Sequence, residues 1–404
     1  MEPATKHIRY LNLLAIVAWG VALLVVIARI LLLPHRGTCF NAYQLSGWDW
    51  FHGEALYANR SDSFVYSPLV AALFVPLASL PPALGAAIWI IFDASIFLVG
   101  IVVILRTDLY PNLGPRNYGV VLLLLLPMAL SNLDIAQANP VLAGLLLLTI
   151  AAVWAGQWNM AAVCAALAAY LKIYPLAVGL LIFAIAPRQF GWRLLLALIV
   201  FGLLPFLLQH WDYVVRQYGD WFRQRIVDNR FNNPDSLAPI DLWFLLVRMG
   251  KLPISFGVYR FFQIASGIGI ALYCVVRERQ GWPLSRVLIA LFSLASVWMT
   301  LCGPATEGVT YLLLAPAVVF ALVQAFLEPQ SVSLRTLIFS AYALLFLTAA
   351  KNSLLPHLSP WTRAMQPLGA VVFLSYCFFW LSRFTSPRHR AIVLESKLRR
   401  SSAP

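Results

Sequence analysis

The sequence predicts an all-α polytopic membrane protein of about twelve transmembrane helices with an extended first extracytoplasmic loop. Of its 404 residues 61% are hydrophobic and 11% charged, with a mean hydropathy of +0.80. That leaves too little polar sequence to clothe a soluble domain. Several apolar runs approach the ~20 residues that span a hydrocarbon core ~30 Å thick. Much of the formal +13 charge lies in short segments between those runs, where it reads as a topology signal and not as a nucleic-acid surface.

Lys6 and Arg9 precede a run of about 24 apolar residues without a small-residue cleavage site, so residues 10–33 are expected to be an uncleaved first span, with Arg29 within snorkelling reach of the far interface. Residues 34–63 then form a polar loop carrying Asp49, Glu54 and Asp62. The stretch Tyr66–Leu80 is bounded by prolines and reaches only ~22 Å as a helix, so it is placed at the interface or half-inserted.

With residues 84–105 as the second full span, the alternation puts Arg106–Arg116, Arg188–Arg193, Arg277–Arg286, Glu328–Arg335 and the tail from Arg383 on one side. Those loops are short and mostly Arg-rich, as a cytoplasmic face requires. Ten of the sixteen acids fall on the other side: Asp49, Glu54, Asp62, Asp134, Asp212, Asp220, Asp228, Asp235, Asp241 and Glu307. Both termini are therefore expected in the cytoplasm. Residues 1–383 form one membrane domain and 384–404 a basic cytoplasmic tail, while residues 237–247 are a further half-inserted helix candidate. Asp93, in the middle of a span, is expected to play a structural part inside the bundle. The five cysteines (Cys39, Cys164, Cys274, Cys302 and Cys377) show no CxxC pairing, so neither a disulfide framework nor a metal site is indicated.

The chemistry concentrates between Asn132 and Pro175. Asp134, Gln137, Asn139 and Lys172 stand there in otherwise apolar sequence, next to the helix breaks made by Pro140 and Pro175, where backbone groups are also left open. Gln137 and Asn139 suit sugar or phosphate oxygens, with helix capping the plainer role for Asn139. Lys172, between Tyr170 and Tyr174, suits a phosphate or simply snorkels. Asp49 lies between Trp48 and Trp50, a pattern fit for a sugar face and equally for interfacial anchoring. Glu307 lies in a Gly/Pro-bounded turn. Arg223, Arg225 and Arg230 suit phosphate, or pairing with Asp220 and Asp228. Cations for a phosphate, a carboxylate for an acceptor proton, and amides and aromatics for a sugar are thus all present.

At these residues the chain resembles the C-type integral-membrane glycosyltransferases, and among them glycosyltransferase family 87, the polyprenol-phosphate-mannose-dependent mannosyltransferases. The resemblance rests on Gly53 and Tyr57 closing the first loop, then Phe64-Val65-Tyr66-Ser67-Pro68 and Leu77-Ala78-Ser79-Leu80-Pro81. It continues through Ala136-Gln137-Ala138-Asn139 in place of a Gly-Gln-x-Asn motif, Lys172-Ile173-Tyr174-Pro175 and the Pro304 loop, covering roughly residues 35–330. It implies a bundle that moves a hexose, mannose by analogy, from a polyprenyl-phosphate donor to a hydroxyl of a glycolipid or polysaccharide acceptor at the extracytoplasmic face, with inversion; no cofactor is expected, and while C-type enzymes can use a metal, the sequence offers no clear ligand set for one. Asp49 and Glu307 are the candidate catalytic carboxylates. Lys172, Gln137, Asn139, Asp134, Tyr174, Trp48, Trp50, Tyr66, Arg223, Arg225 and Arg230 are the candidate substrate contacts. Two departures stand out: the usual loop Asp falls in the register of Cys39, leaving Asp49, Glu54 or Asp62 to replace it, and a usual His pair reads Val309-Thr310. A transporter or flippase, or a non-catalytic binder of lipid-linked sugars, would use similar groups. The absence of an internal repeat and the one-sided polar clusters favour the enzyme.

Overall fold

The computed structural model describes residues 3–33, 39–57, 64–110, 112–227, 238–304, 306–354 and 360–383. Asp62, Asp228, Arg230, Asp235 and the basic tail lie outside them. Fifteen α-helices run in order among the described residues. They are α1 (Pro3–Leu32), α2 (Cys39–His52), α3 (Pro68–Ala78), α4 (Pro82–Arg106), α5 (Tyr118–Asp134), α6 (Asn139–Trp154), α7 (Trp158–Leu171) and α8 (Leu176–Ile185), followed by α9 (Trp192–Leu203), α10 (Trp211–Val227), α11 (Phe256–Arg279), α12 (Leu284–Leu301), α13 (Ala315–Leu327), α14 (Val332–Leu354) and α15 (Pro360–Ser382).

Eight helical stretches are long and apolar enough to cross a bilayer, and five further apolar helices, α3, α6, α7, α8 and α13, have 10 to 17 residues. The chain is a multi-pass membrane protein, but its spans do not resolve into twelve uniform ones, because prolines cut the apolar runs into shorter helices. Pro68 and Pro82 open α3 and α4, Pro140 lies in the first turn of α6, and Pro175 caps α8. A proline costs nothing at those positions, where the missing N–H would have had no partner.

Small residues let the central helices touch. A Cβ on Gly144 of α6 would stand 2.6 Å from the Ile96 carbonyl carbon of α4, and one on Gly100 would stand 2.7 Å from the Gly144 oxygen. Asp93, one turn away on α4, accepts a hydrogen bond from the Val141 N–H at 2.6 Å, so the mid-span acid holds the amino end of α6. Outside this core, α1 and α11 expose Leu24, Val21, Phe261 and Ile264, as helices facing lipid do. The polar first loop is itself helical. α2 packs along α3, and its far end is tied to α10 by Leu56 N–H donating to Gln217 Oε1 at 3.0 Å and by Tyr213 Oη donating to the Glu54 carbonyl at 2.7 Å.

Candidate functional site

Four chain breaks converge at one end of the bundle. Between α5 and α6 the chain turns at Ala136, whose φ of 54° reverses it within four residues. Between α7 and α8, Lys172 adopts extended backbone and the neighbouring carbonyl of Tyr170 accepts from Ser67 Oγ at 2.7 Å, which binds the first loop to this break. Trp221 Nε1 on α10 donates to the Val65 carbonyl at 3.3 Å. The turn after α12 is held from outside by Ile240 N–H donating to the Thr306 carbonyl at 2.7 Å and Gln366 Nε2 donating to the Gly308 carbonyl at 2.8 Å.

An open cavity of about 330 Å³ lies among them, lined by Tyr66, Ser67, Gln137, Lys172, Tyr174, Trp221, Arg225 and Glu307, with Val65, Leu171, Ile173 and Pro304. Its volume lies at the lower end of the range for small-ligand sites. The Lys172 ammonium lies 6.0 Å from the ring centroids of both Tyr66 and Tyr174, within cation–π range.

Gln137 is fixed by its surroundings. Its Oε1 accepts from Tyr43 Oη and Tyr66 Oη, each at 2.9 Å, and from the Ala138 N–H at 3.1 Å. A backbone N–H can only donate, so the oxygen must face it, and Nε2 is the end left towards Cys39 Sγ, 3.5 Å away, and the cavity. Gln137 is therefore presented as a donor.

Five of the expected contacts, Lys172, Gln137, Tyr174, Tyr66 and Arg225, share this cavity with Glu307, one of the two candidate catalytic carboxylates. Those of the others that are described do not line it. Asn139 is fully buried behind Lys172 and its side chain caps no helix. Asp134 forms an ion pair with Arg29, both partly exposed. Arg223 pairs with Asp220 at 3.0 Å on the exposed side of α10. Asp49 is buried in α2 on the side of Tyr213. The flanking tryptophans diverge: Trp50 is buried against the Tyr213 ring at 5.4 Å, whereas Trp48 is exposed, lies tilted against the His52 ring at 4.2 Å, and borders a separate groove beside Pro81.

Cys39, in the register of the usual loop Asp, lies within electrostatic reach of Glu307 and Lys172. Burial, with the Glu307 charge adding, pushes its thiol up to about 11, so it is protonated at neutral pH. Ser67 and Trp221 belong to the cavity but were not singled out from sequence. Trp221 was within reach of helical periodicity, since it lies four residues before Arg225 on an amphipathic helix. Among the described residues no three His, Cys, Asp or Glu side chains gather as a metal site.

Two cations, a carboxylate and aromatic walls meet in a cavity of a multi-pass membrane protein, an arrangement whose chemistry suits an anionic, partly polar ligand. A family profile described as "Glycosyltransferase family 87" matches residues 64–304, more than half of the chain, and the chain belongs to that family: it is a membrane glycosyltransferase. Solved structures of one bacterial membrane protein are among those similar to it. ArnT from Cupriavidus metallidurans in the apo state gives a TM-score of 0.45 at 13% identity over 93% of this chain and 76% of that one. The same protein bound to undecaprenyl phosphate gives 0.44 at 15% identity over 90% and 76%. No curated protein matches the sequence.

Proposed function

We propose that this glycosyltransferase moves a hexose, mannose on the family resemblance, from a polyprenyl-phosphate donor to a hydroxyl of a glycolipid or polysaccharide acceptor at the extracytoplasmic face. The observation that carries this reading is the meeting of Lys172, Arg225 and Glu307 in one cavity. The donor phosphate lies against Lys172, Arg225 and the Gln137 Nε2 donor, and the sugar against Tyr66, Tyr174 and Trp221. Glu307 takes the proton of the acceptor hydroxyl as its oxygen attacks the anomeric carbon. The bond from that carbon to the phosphate oxygen breaks, its electron pair leaves with the polyprenyl phosphate, and the two cations stabilise the charge that develops. One displacement inverts the anomeric centre.

Glu307 is preferred to Asp49 as the base because it lines the cavity and Asp49 does not. Cys39 is unsuited to the task, since its thiol holds its proton up to about 11. Transfer of radiolabelled mannose from polyprenyl phosphomannose, measured with purified wild type and single variants, tests the assignment. Glu307→Gln is expected to lose kcat by about 100-fold or more, Lys172→Ala to lose kcat/KM by a similar factor, and Asp49→Asn to stay within about tenfold of wild type. Wild-type turnover by Glu307→Gln would remove the base from this scheme.

A further inference from the structure

Behind Lys172 lies a pair of buried amides whose orientation is fully determined. The Lys172 ammonium donates to Asn139 Oδ1 at 2.8 Å, Asn139 Nδ2 donates to Asn132 Oδ1 at 2.9 Å, and Asn132 Nδ2 donates to the Met128 carbonyl at 3.3 Å. An ammonium can only donate and a backbone carbonyl can only accept, so neither amide can be reversed without losing a bond. Both asparagines are buried, at 0% and 1% exposure, where hydrogen bonds polarise one another and a broken one is costly.

We propose that Asn132 and Asn139 are positioning residues, a polarised amide relay that aims the Lys172 ammonium at the anionic headgroup of a prenyl phosphate. The proposal rests on the reading of the cavity as the donor site. The oxygen end of each amide faces the cation, so the relay stabilises the ammonium through dipoles. It does so without setting a second negative charge at 2.8 Å, where a carboxylate would compete with the phosphate. The relay is also built on the turn that carries Gln137, since the Gln137 N–H donates to the Asn132 carbonyl at 2.9 Å. One turn thereby registers both the cation and the Gln137 donor.

The role is separable from simple support, because Asn139→Asp keeps both the size and the acceptor atom. If Asn139 only held the lysine in place, a carboxylate would hold it at least as well. If the relay keeps the charge available, the carboxylate neutralises it. Binding of farnesyl phosphate and of uncharged farnesol to the detergent-purified full chain separates headgroup from tail, with thermal unfolding as the check on folding. The expected result is farnesyl phosphate binding about tenfold or more weaker in Asn139→Asp and farnesol binding unchanged. Asn132→Ala, which frees Asn139 to turn its Nδ2 towards the lysine, is expected to weaken farnesyl phosphate alone by a smaller factor. Wild-type affinity for farnesyl phosphate in both variants, or equal weakening for both ligands, overturns the relay while leaving the donor reading intact. A wild type that binds farnesol as tightly as farnesyl phosphate overturns both.

Discussion

Ala136 stands where the family pattern has glycine, in the left-handed region at φ 54°, with its carbonyl accepting from Trp89 Nε1 at 3.0 Å. An L-residue with a Cβ pays ~1–2 kcal/mol there. Ala136→Gly relieves that cost but gives up a buried methyl, worth ~0.8 kcal/mol, and adds unfolded-chain entropy of ~0.4–1 kcal/mol. The terms nearly cancel, so the glycine variant is expected to melt within a few degrees of wild type. Ala136→Val has no such compensation: a branched Cβ is worse in this region and the site is 0% exposed. It is expected to lose more than about 2 kcal/mol and, by shifting Gln137, transfer activity with it. A valine variant that melts and turns over like wild type would show that the turn is not strained. Single residues also explain what could be read from the sequence. Lys172 and Gln137 were legible because a polar side chain beside a proline break in apolar sequence has few other reasons to be there. Asn139 was legible as a polar residue out of place in apolar sequence, but its hydrogen bond from Lys172 was not, since contacts between helices leave no mark in local sequence.

At the scale of elements, adjacency in sequence was misleading wherever the loop proved helical. Trp48 and Trp50 would offer one sugar face only if extended, where alternate side chains point the same way; on α2 successive side chains point about 100° apart, so the two rings part company. The same geometry turns Arg225 into the cavity while Arg223 faces out. The segment before α11, read in the sequence only as a half-inserted helix candidate over 237–247, is helical over 242–249, and the residues leading into that helix clamp the Glu307 turn. Ile240 pairs with Thr306, Tyr311 Oη donates to the Ile240 carbonyl at 2.7 Å, and Asp241 Oδ1 accepts from the Phe244 N–H at 3.1 Å. Burial raises the Asp241 carboxyl to about 7, with its backbone hydrogen bonds opposing. A carboxyl that binds its proton more tightly in the folded chain contributes stability that is fully present below its unfolded value near 3.8 and is lost as pH rises towards 7. Wild type should therefore lose on the order of a few kcal/mol across that window relative to Asp241→Asn, which keeps an acceptor for Phe244 and does not titrate. Melting temperatures of the two proteins in detergent between pH 4 and pH 8 test this. Parallel curves would mean that Asp241 ionises as freely in the fold as outside it.

For the whole molecule, the hydropathy of the chain made its class plain, whereas the number of spans depended on where prolines cut helices, which run length alone does not reveal. The convergence of distant polar segments was an expectation from parity, and the cavity joins residues from Val65 to Glu307. Sidedness becomes testable at this scale. α5 carries the chain from Arg116, just before it, to Asn132 near its end. Its 17 residues span ~25 Å, so the Arg116 loop lies at the end of the bundle away from the cavity, while the exposed Arg223 lies on the helix that lines it. If the Arg-rich short loops are cytoplasmic, as the charge rule requires, a cysteine at Arg223 is open to the outside and one at Arg116 is not. A membrane-impermeant maleimide applied to intact cells is expected to label Arg223→Cys above the level of the parent chain, and to label Arg116→Cys only after permeabilisation. The reverse pattern would put the cavity on the cytoplasmic side. The donor would then have to be presented from that leaflet, and the acids gathered around the cavity end would have to be explained by binding chemistry instead of by topology.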